Sequence, residues 1–365
     1  MSDTITKFTY QTFQQSKIYF ALAHKQISTR LRNFVYPTLE FKTQPLSSAI
    51  LQKMQKRIDK IMERDLADGE NGIYPVNIIF DNPWSDFFSY YPNIWLDMPT
   101  VWNRIQKKKY QEFSPQINTQ DYPKYYLQNF HYQTDGYLSD TSANLYDLQV
   151  EILFNGTADA MRRRILAPLK MGLEKLFLGQ KLEANAPQKL RVLDIACGTG
   201  RTLKFIRATL PKAALYGVDL SSAYLKKAHQ LLSEGLGELP QLLQGNAEDL
   251  PLRDNFFQAT TCVFIFHELP PIVRQKVIEE AFRVTQPGGV FVICDSIQVS
   301  DEPDFAPMLK NFPAMFHEPY YQSYITDNLE ERLEKAGFIN IATEVHLFSK
   351  YWVGYKPVEE VVSSR

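Results

Sequence analysis

Two short segments hold residues whose types and order suit ligand chemistry. Leu190 to Gly200 runs Leu-Arg-Val-Leu-Asp-Ile-Ala-Cys-Gly-Thr-Gly, an apolar strand entering a glycine turn, with a helical pattern from Arg201. Gly198 and Gly200 remove side chains that would hold a ligand away from the backbone, and the free N–H groups at the helix start face that ligand. Asp194 puts a carboxylate at the strand end, and Asp219 closes the next strand, Ala214 to Val218. Vicinal ribose hydroxyls are donors that carboxylates accept, so two acids beside a glycine turn suit an adenosine-containing cofactor. The nicotinamide-dinucleotide pattern fails in detail: with Gly198 and Gly200 as its first two glycines, Leu203 stands where Gly or Ala belongs. No G-x-x-x-x-G-K-[ST] phosphate loop occurs either. A sulfonium cofactor with a free amino-acid end carries no phosphate and needs no pyrophosphate cradle. It needs an anion near its ammonium, a role open to Asp194.

Asp194-Ile-Ala-Cys-Gly-Thr-Gly200 resembles motif I of the class I S-adenosylmethionine-dependent methyltransferases, in the branch of the ubiquinone/menaquinone C-methyltransferases and related small-molecule enzymes. Ala196 stands where many members carry glycine, a change this branch often accepts. Further segments match in order: Val218-Asp219-Leu220-Ser221 resembles the ribose-binding turn, and Gly245-Asn246-Ala247-Glu248-Asp249-Leu250-Pro251 the adenine-side loop. Phe264-Ile265-Phe266-His267-Glu268-Leu269 resembles the strand end that faces the transferred methyl, and Thr285 to Gly289 the turn before strand five. The match runs from Gln188 to Phe348; the first half of the chain has none.

The resemblance implies a doubly wound, mostly parallel seven-stranded α/β sheet of Rossmann type and S-adenosylmethionine as cofactor. It assigns Asp194, Ala196, Gly198, Thr199, Gly200, Asp219, Leu220, Ser221, Asn246, Ala247, Glu248 and Phe264 to cofactor binding. Methyl transfer from a sulfonium is an in-line displacement, so much of catalysis is alignment. A base is needed only where the acceptor is protonated. His267 is the first base candidate, since an unperturbed imidazole titrates near neutral pH; the alternative is a helix cap. Glu268 is expected to orient it or bind the acceptor. His317, in the aromatic insertion Phe316-His-Glu-Pro-Tyr-Tyr321, is a third candidate, with Tyr320, Tyr321 and Asp295 on the acceptor side. Tyr125 to Tyr137 carries Tyr125, Tyr126, His131, Tyr132 and Tyr137 just before the matching region, and aromatic side chains with polar tips suit a rim half buried and half facing ligand. Tyr132 is the residue chosen to face the sulfonium, where a ring face attracts a cation. No metal cluster is expected.

These residues need scaffolding. The chain has 365 residues, enough for two parts with real cores, and a net charge of -1, which gives no electrostatic reason to bind nucleic acid. The cysteines, Cys197, Cys262 and Cys294, form no C-x-x-C pair, so neither a zinc knuckle nor a disulfide framework is expected. No apolar run is long enough to span a membrane. Lys17 and Lys25 bracket the early apolar run Ile18 to Ala23, so no secretory leader is expected; the location read is cytoplasmic, with peripheral membrane contact or organelle targeting as the alternative. Ile18, Leu22, Ile27 and Leu31 form a helical stripe, and Ile50, Met54, Ile58 and Ile61 a second between Leu46 and Ala67. Tyr74 to Pro123 reads as irregular and aromatic. Ser142 to Leu178 reads as helical, with Arg162, Arg163 and Arg164 on a solvated face. From residue 190, strand and helix patterns alternate, which argues a parallel sheet with helices on both faces.

The expected division is 1–140, a helical, aromatic-rich cap or accessory domain; 141–187, connecting helix and linker; and 188–365, the catalytic domain. The expected activity is methyl transfer to a small, apolar or aromatic acceptor, with no nucleic-acid partner. The alternatives are an RNA or protein methyltransferase, or a non-catalytic S-adenosylmethionine-binding regulatory or assembly protein.

Overall fold

The computed structural model describes residues 4–41, 43–179, 189–235 and 237–358, apart from the side chains of Trp84 and Ser85. Residues 180–187, the end of the expected connecting helix and linker, lie outside the described residues. The alternating apolar runs form a seven-stranded sheet of order β3-β2-β1-β4-β5-β7-β6. Its strands are β1 (Arg191–Ile195), β2 (Ala214–Asp219), β3 (Gln241–Gln244), β4 (Phe257–Val263), β5 (Thr285–Ser296), β6 (Ile339–His346) and β7 (Ser349–Tyr355). β1 pairs in parallel with both β2 and β4, so the strand order reverses there. In open α/β sheets that reversal opens a crevice at the carboxyl ends of the strands, where ligands bind. Val192, Leu193 and Ile195 are buried, as a central strand covered on both faces requires. β7 runs antiparallel between β5 and β6.

Before the sheet come α1 (Thr4–Val35), α2 (Ser48–Glu70), α3 (Trp84–Lys107), α4 (Asp140–Leu153), α5 (Ala158–Arg163) and α6 (Leu166–Gly179). Within and after it lie α7 (Arg201–Thr209), α8 (Ser222–Ser233), α9 (Pro271–Val284), α10 (Ala306–Met315), α11 (Tyr321–Tyr324) and α12 (Leu329–Ala336). The first helices share a core with the sheet: Tyr10, Leu66, Tyr74 and Ile79 pack in one cluster with Val192, Leu203, Val290 and Tyr351.

Four expectations are corrected. Tyr74 to Pro123 is not irregular throughout, because α3 runs through it with Pro92 and Pro99 inside. An internal proline costs ~3 kcal/mol. Here Phe87, Tyr91, Ile94 and Met98 recur at helical spacing and pack with Phe20 of α1 and Leu145, Leu148 and Ile152 of α4, and that burial offsets the cost. The buried face of α1 is Tyr10, Gln14, Lys17, Ile18, Ala21 and His24; Leu22, Ile27 and Leu31 are exposed. Lys17 is buried because Glu151 of α4 lies 3.6 Å from its Nζ. Arg162, Arg163 and Arg164 are not solvated: all are buried, paired with Asp159, Asp65 and Asp68 respectively. The alternation from residue 190 reads one helix over 324–336; the structure has α11 ending at Tyr324 and α12 starting at Leu329, because Asn328 accepts the Glu331 N–H at 3.1 Å and starts α12 afresh.

Candidate active site

The crevice at the strand reversal is lined by Ala196, Gly198, Thr199, Asp219, Asn246 and Phe264, among others. Gly198 and Gly200 both have left-handed φ, +53° and +83°. A Cβ on Gly198 would meet nothing within 4 Å, so open space lies beside this backbone. At Gly200, the start of α7, a Cβ would stand 3.1 Å from Ala228 and Leu232 of α8, so the left-handed φ and the tight helix approach both favour glycine there. Ala196 and Phe264 also hold positive φ, 55° and 60°. Such φ values cost energy in non-glycine residues and cluster at functional sites. The turn at Phe264 also ends β4 before the Phe266–Glu268 3₁₀ turn, earlier than the alternation suggests.

Asp219 accepts the Gly198 N–H and the Ser221 N–H, each at 2.8 Å. A carboxylate has about four acceptor positions, so about two remain for ligand hydroxyls. Burial pushes Asp219 up to about 6 against those hydrogen bonds, and pushes Asp194 up to about 7. Asp194 accepts the Thr261 hydroxyl at 2.7 Å and is 1% exposed, so it supports the crevice from below rather than lining it.

A second cavity, of about 550 Å³, adjoins the crevice. The two share Tyr146, Phe264 and Glu268. Phe312, Phe316, Met308, Met315 and Phe348 give the second cavity apolar walls, and Lys25 of α1 and Met54 of α2 also line it. Its volume falls in the range of small-molecule sites, roughly 300–1,000 Å³. His267 and Glu268 stand at the junction. His267 Nδ1 lies 2.6 Å from Asp295 Oδ1, and Asp295 is itself anchored by the Phe266 and Ser296 N–H groups at 2.7 Å. Burial disfavours the imidazolium, but Asp295, Glu268 and Glu318 outweigh it and push His267 up to about 10. Tyr137 donates to Glu268 Oε1 at 2.5 Å.

A family model described as a methyltransferase domain matches residues 192–289. An uncharacterized methyltransferase of Synechocystis sp. is 32% identical over 177 residues, covering 47% of this chain and 78% of the relative. The demethylmenaquinone methyltransferase of Geobacillus kaustophilus is 28% identical over 201 residues, covering 47% of this chain and 81% of the relative. The chain belongs to the class I S-adenosylmethionine-dependent methyltransferases. It is an enzyme near the ubiquinone/menaquinone branch, and S-adenosylmethionine is its cofactor. Among the described residues of this methyltransferase, no helix is long and apolar enough to cross a membrane.

The methyltransferase brings Ala196, Gly198, Thr199, Asp219, Leu220, Asn246, Ala247, Phe264 and Glu268 to the crevice wall. Gly200 and Ser221 hold helix starts beneath it, and Ser221 donates to the Tyr137 carbonyl at 2.5 Å. Glu248 turns to the Tyr125 hydroxyl at 2.6 Å and to Lys276 at 3.1 Å. His267 and Tyr321 line the second cavity. His317 lines neither: its ring stacks on Tyr110 at 4.3 Å, its Nε2 lies 2.9 Å from Gln128 Oε1, and burial holds it down to about 4. Tyr132 and Tyr320 also line neither, whereas Tyr125, Tyr126 and Tyr137 of the same segment line the crevice. The backbone breaks within this segment, where His131 and Tyr132 both have positive φ, 53° and 59°, and His131 lines the second cavity. Sequence reasoning missed Tyr146, Arg162 and Glu318. Tyr146 and Arg162 line the crevice from α4 and α5, outside every matching motif. Glu318 follows His317, and only its burial among other charges marks it.

Proposed function

We propose that this enzyme methylates a small apolar or aromatic acceptor that carries an ionisable oxygen. The observation that supports this reading is the aromatic-walled cavity of about 550 Å³ joined to the cofactor crevice at Glu268. S-adenosylmethionine supplies an electrophilic methyl; the protein supplies alignment, exclusion of water and a place for the acceptor's proton. Glu268 faces both cavities, so it is the proton acceptor we assign. His267, tethered by Asp295, sits with Nε2 3.8 Å from Glu268 Oε1 and orients it. Tyr321 and Ser296 close the acceptor side, their hydroxyls 2.8 Å apart. Residues 1–140 cap the site, because α1 and α2 contribute walls of the cavity that holds the acceptor.

The reading is tested by incubating the enzyme with methyl-labelled cofactor and, separately, a demethylated hydroquinone, bulk RNA and a protein extract. Label is expected in the hydroquinone alone. Label in RNA or protein instead would sink the reading.

Two consequences concern the cofactor. Asp219→Ala removes the acceptor assigned to the ribose hydroxyls, and calorimetry should show binding weakened by about 1.5–3 kcal/mol. Unchanged affinity in a folded variant would place the ribose elsewhere. Affinity should also depend on pH. Burial pushes Asp219 up to about 6, so below that pH the free protein carries a proton that must leave before the carboxylate can accept ribose hydroxyls. Affinity is therefore expected to rise as pH rises through about 6 and then level, with proton release on binding below it, by at most about tenfold per pH unit. A flat profile there would remove Asp219 from the binding equilibrium.

A further inference from the structure

His131, His267, Glu268 and Glu318 come from three separate segments, yet one ligating atom from each lies within 4.8 Å of all the others. We propose that these four side chains bind a divalent first-row transition-metal ion. The spacing fits such an ion. His131 Nε2 lies 3.1 Å from Glu318 Oε1 and 3.5 Å from Glu268 Oε1, and His267 Nε2 lies 3.8 Å from Glu268 Oε1. Four nitrogen and oxygen ligands at about 2.0–2.2 Å from a tetrahedral centre stand roughly 3.3–3.6 Å from one another. These three pairs stand within a few tenths of an ångström of that spacing, and the whole set lies within 4.8 Å, so the remaining donors close by about an ångström at most.

Glu318 is the observation that points to a ligand. Its side chain is fully buried, and neither carboxylate oxygen accepts a well-aligned hydrogen bond. A buried carboxylate without donors costs several kcal/mol unless a cation meets it. Three buried carboxyl groups, Glu268, Glu318 and Asp295, face two imidazoles here, a close gathering of groups that can ligate or support a cation. The surroundings also suit a metal. His267 presents Nε2 to the cluster while its Nδ1 meets Asp295, the carboxylate–histidine arrangement that fixes the orientation of metal-bound imidazole. Tyr137 hydrogen-bonds Glu268 in the same supporting way. Two imidazoles and two carboxylates are a nitrogen–oxygen set suited to Zn²⁺, Co²⁺, Mn²⁺ or Fe²⁺ rather than Ca²⁺. Chain spacing hides the site because its four ligands are fixed by the 3₁₀ turn after β4, the strained His131 turn and the loop after α10.

The ion would sit where the acceptor cavity meets the cofactor crevice, within reach of an acceptor oxygen. That last role rests on the proposed function; metal binding itself does not. The test uses the full chain, stripped with chelator and titrated with Co²⁺, whose visible bands report a low-symmetry nitrogen–oxygen site. The expected result is a single equivalent of Co²⁺ per chain, bands displaced by Zn²⁺, and proton release from the imidazoles to solvent in weak buffer. Glu318→Gln and His131→Gln should each weaken Co²⁺ affinity by on the order of tenfold or more, with thermal melts verifying that the variants are folded. Should a variant fail to fold, the wild-type titration decides. No stoichiometric uptake by the wild-type chain, or uptake that neither folded variant alters, would overturn the proposal, whatever acceptor the enzyme proves to use.

Discussion

Glu268→Gln should slow methyl transfer in a single turnover by about 10²–10⁴, the range for loss of a positioned proton acceptor. Glu268 lines both cavities, receives the Tyr137 hydroxyl and sits beside the Asp295-anchored His267, so no other carboxylate lining the crevice and the acceptor cavity has the same reach. The amide keeps the shape and removes the proton affinity. Rates measured with saturating cofactor, with and without added divalent metal, separate loss of the base from loss of an ion. A wild-type single-turnover rate in the variant would mean that the acceptor loses its proton elsewhere or has none to lose.

The largest effect on stability is expected at Asp65→Ala. Asp65 in α2 takes both ends of the Arg163 guanidinium, at 2.8 and 2.6 Å, and also accepts the hydroxyls of Tyr10 and Tyr74 at 2.6 and 2.7 Å. Asp65 is 0% exposed and Arg163 1%. Removing the carboxylate strands a buried guanidinium and two phenols, and breaking a buried pair in this way costs about 3–5 kcal/mol. Denaturant unfolding of the two chains would measure it. A loss below about 1 kcal/mol, the scale of a surface pair, would mean that water reaches Arg163 once Asp65 is gone. Because this network joins α1, α2 and α5 to the core under β1, the variant also tests how far the first helices depend on the sheet for their stability.

Much of the catalytic half was legible in the residues because its signals are local. A glycine turn needs glycine wherever φ is positive or a helix passes close, and Gly198 and Gly200 meet those conditions. Strand runs such as Val192 to Ile195 declare burial on both faces by composition alone, and Asp219 stands at a strand end in sequence as in space. Helices α8 and α9 begin and end where their apolar period and flanking residues say, at Ser222–Ser233 and Pro271–Val284.

Tertiary structure decided what depends on distant partners. Arg162 to Arg164 read as a solvated run because three cations in sequence cost least in water. Only folding brings Asp159, Asp65 and Asp68 close enough to repay their burial. Pro92 and Pro99 argue against a helix by local propensity, and α3 persists because its aromatic face is buried against α1 and α4. Which tyrosines of the 125–137 segment face the crevice depends on how that segment folds, with positive φ at His131 and Tyr132 that no residue pattern announces. The His131–His267–Glu268–Glu318 cluster is the clearest case. Its members span 188 residues of chain, from 131 to 318, with no motif spacing among them. Chain order carries a type and a position, whereas a ligand shell is a set of distances, and those exist only once the strands, turns and helices have packed.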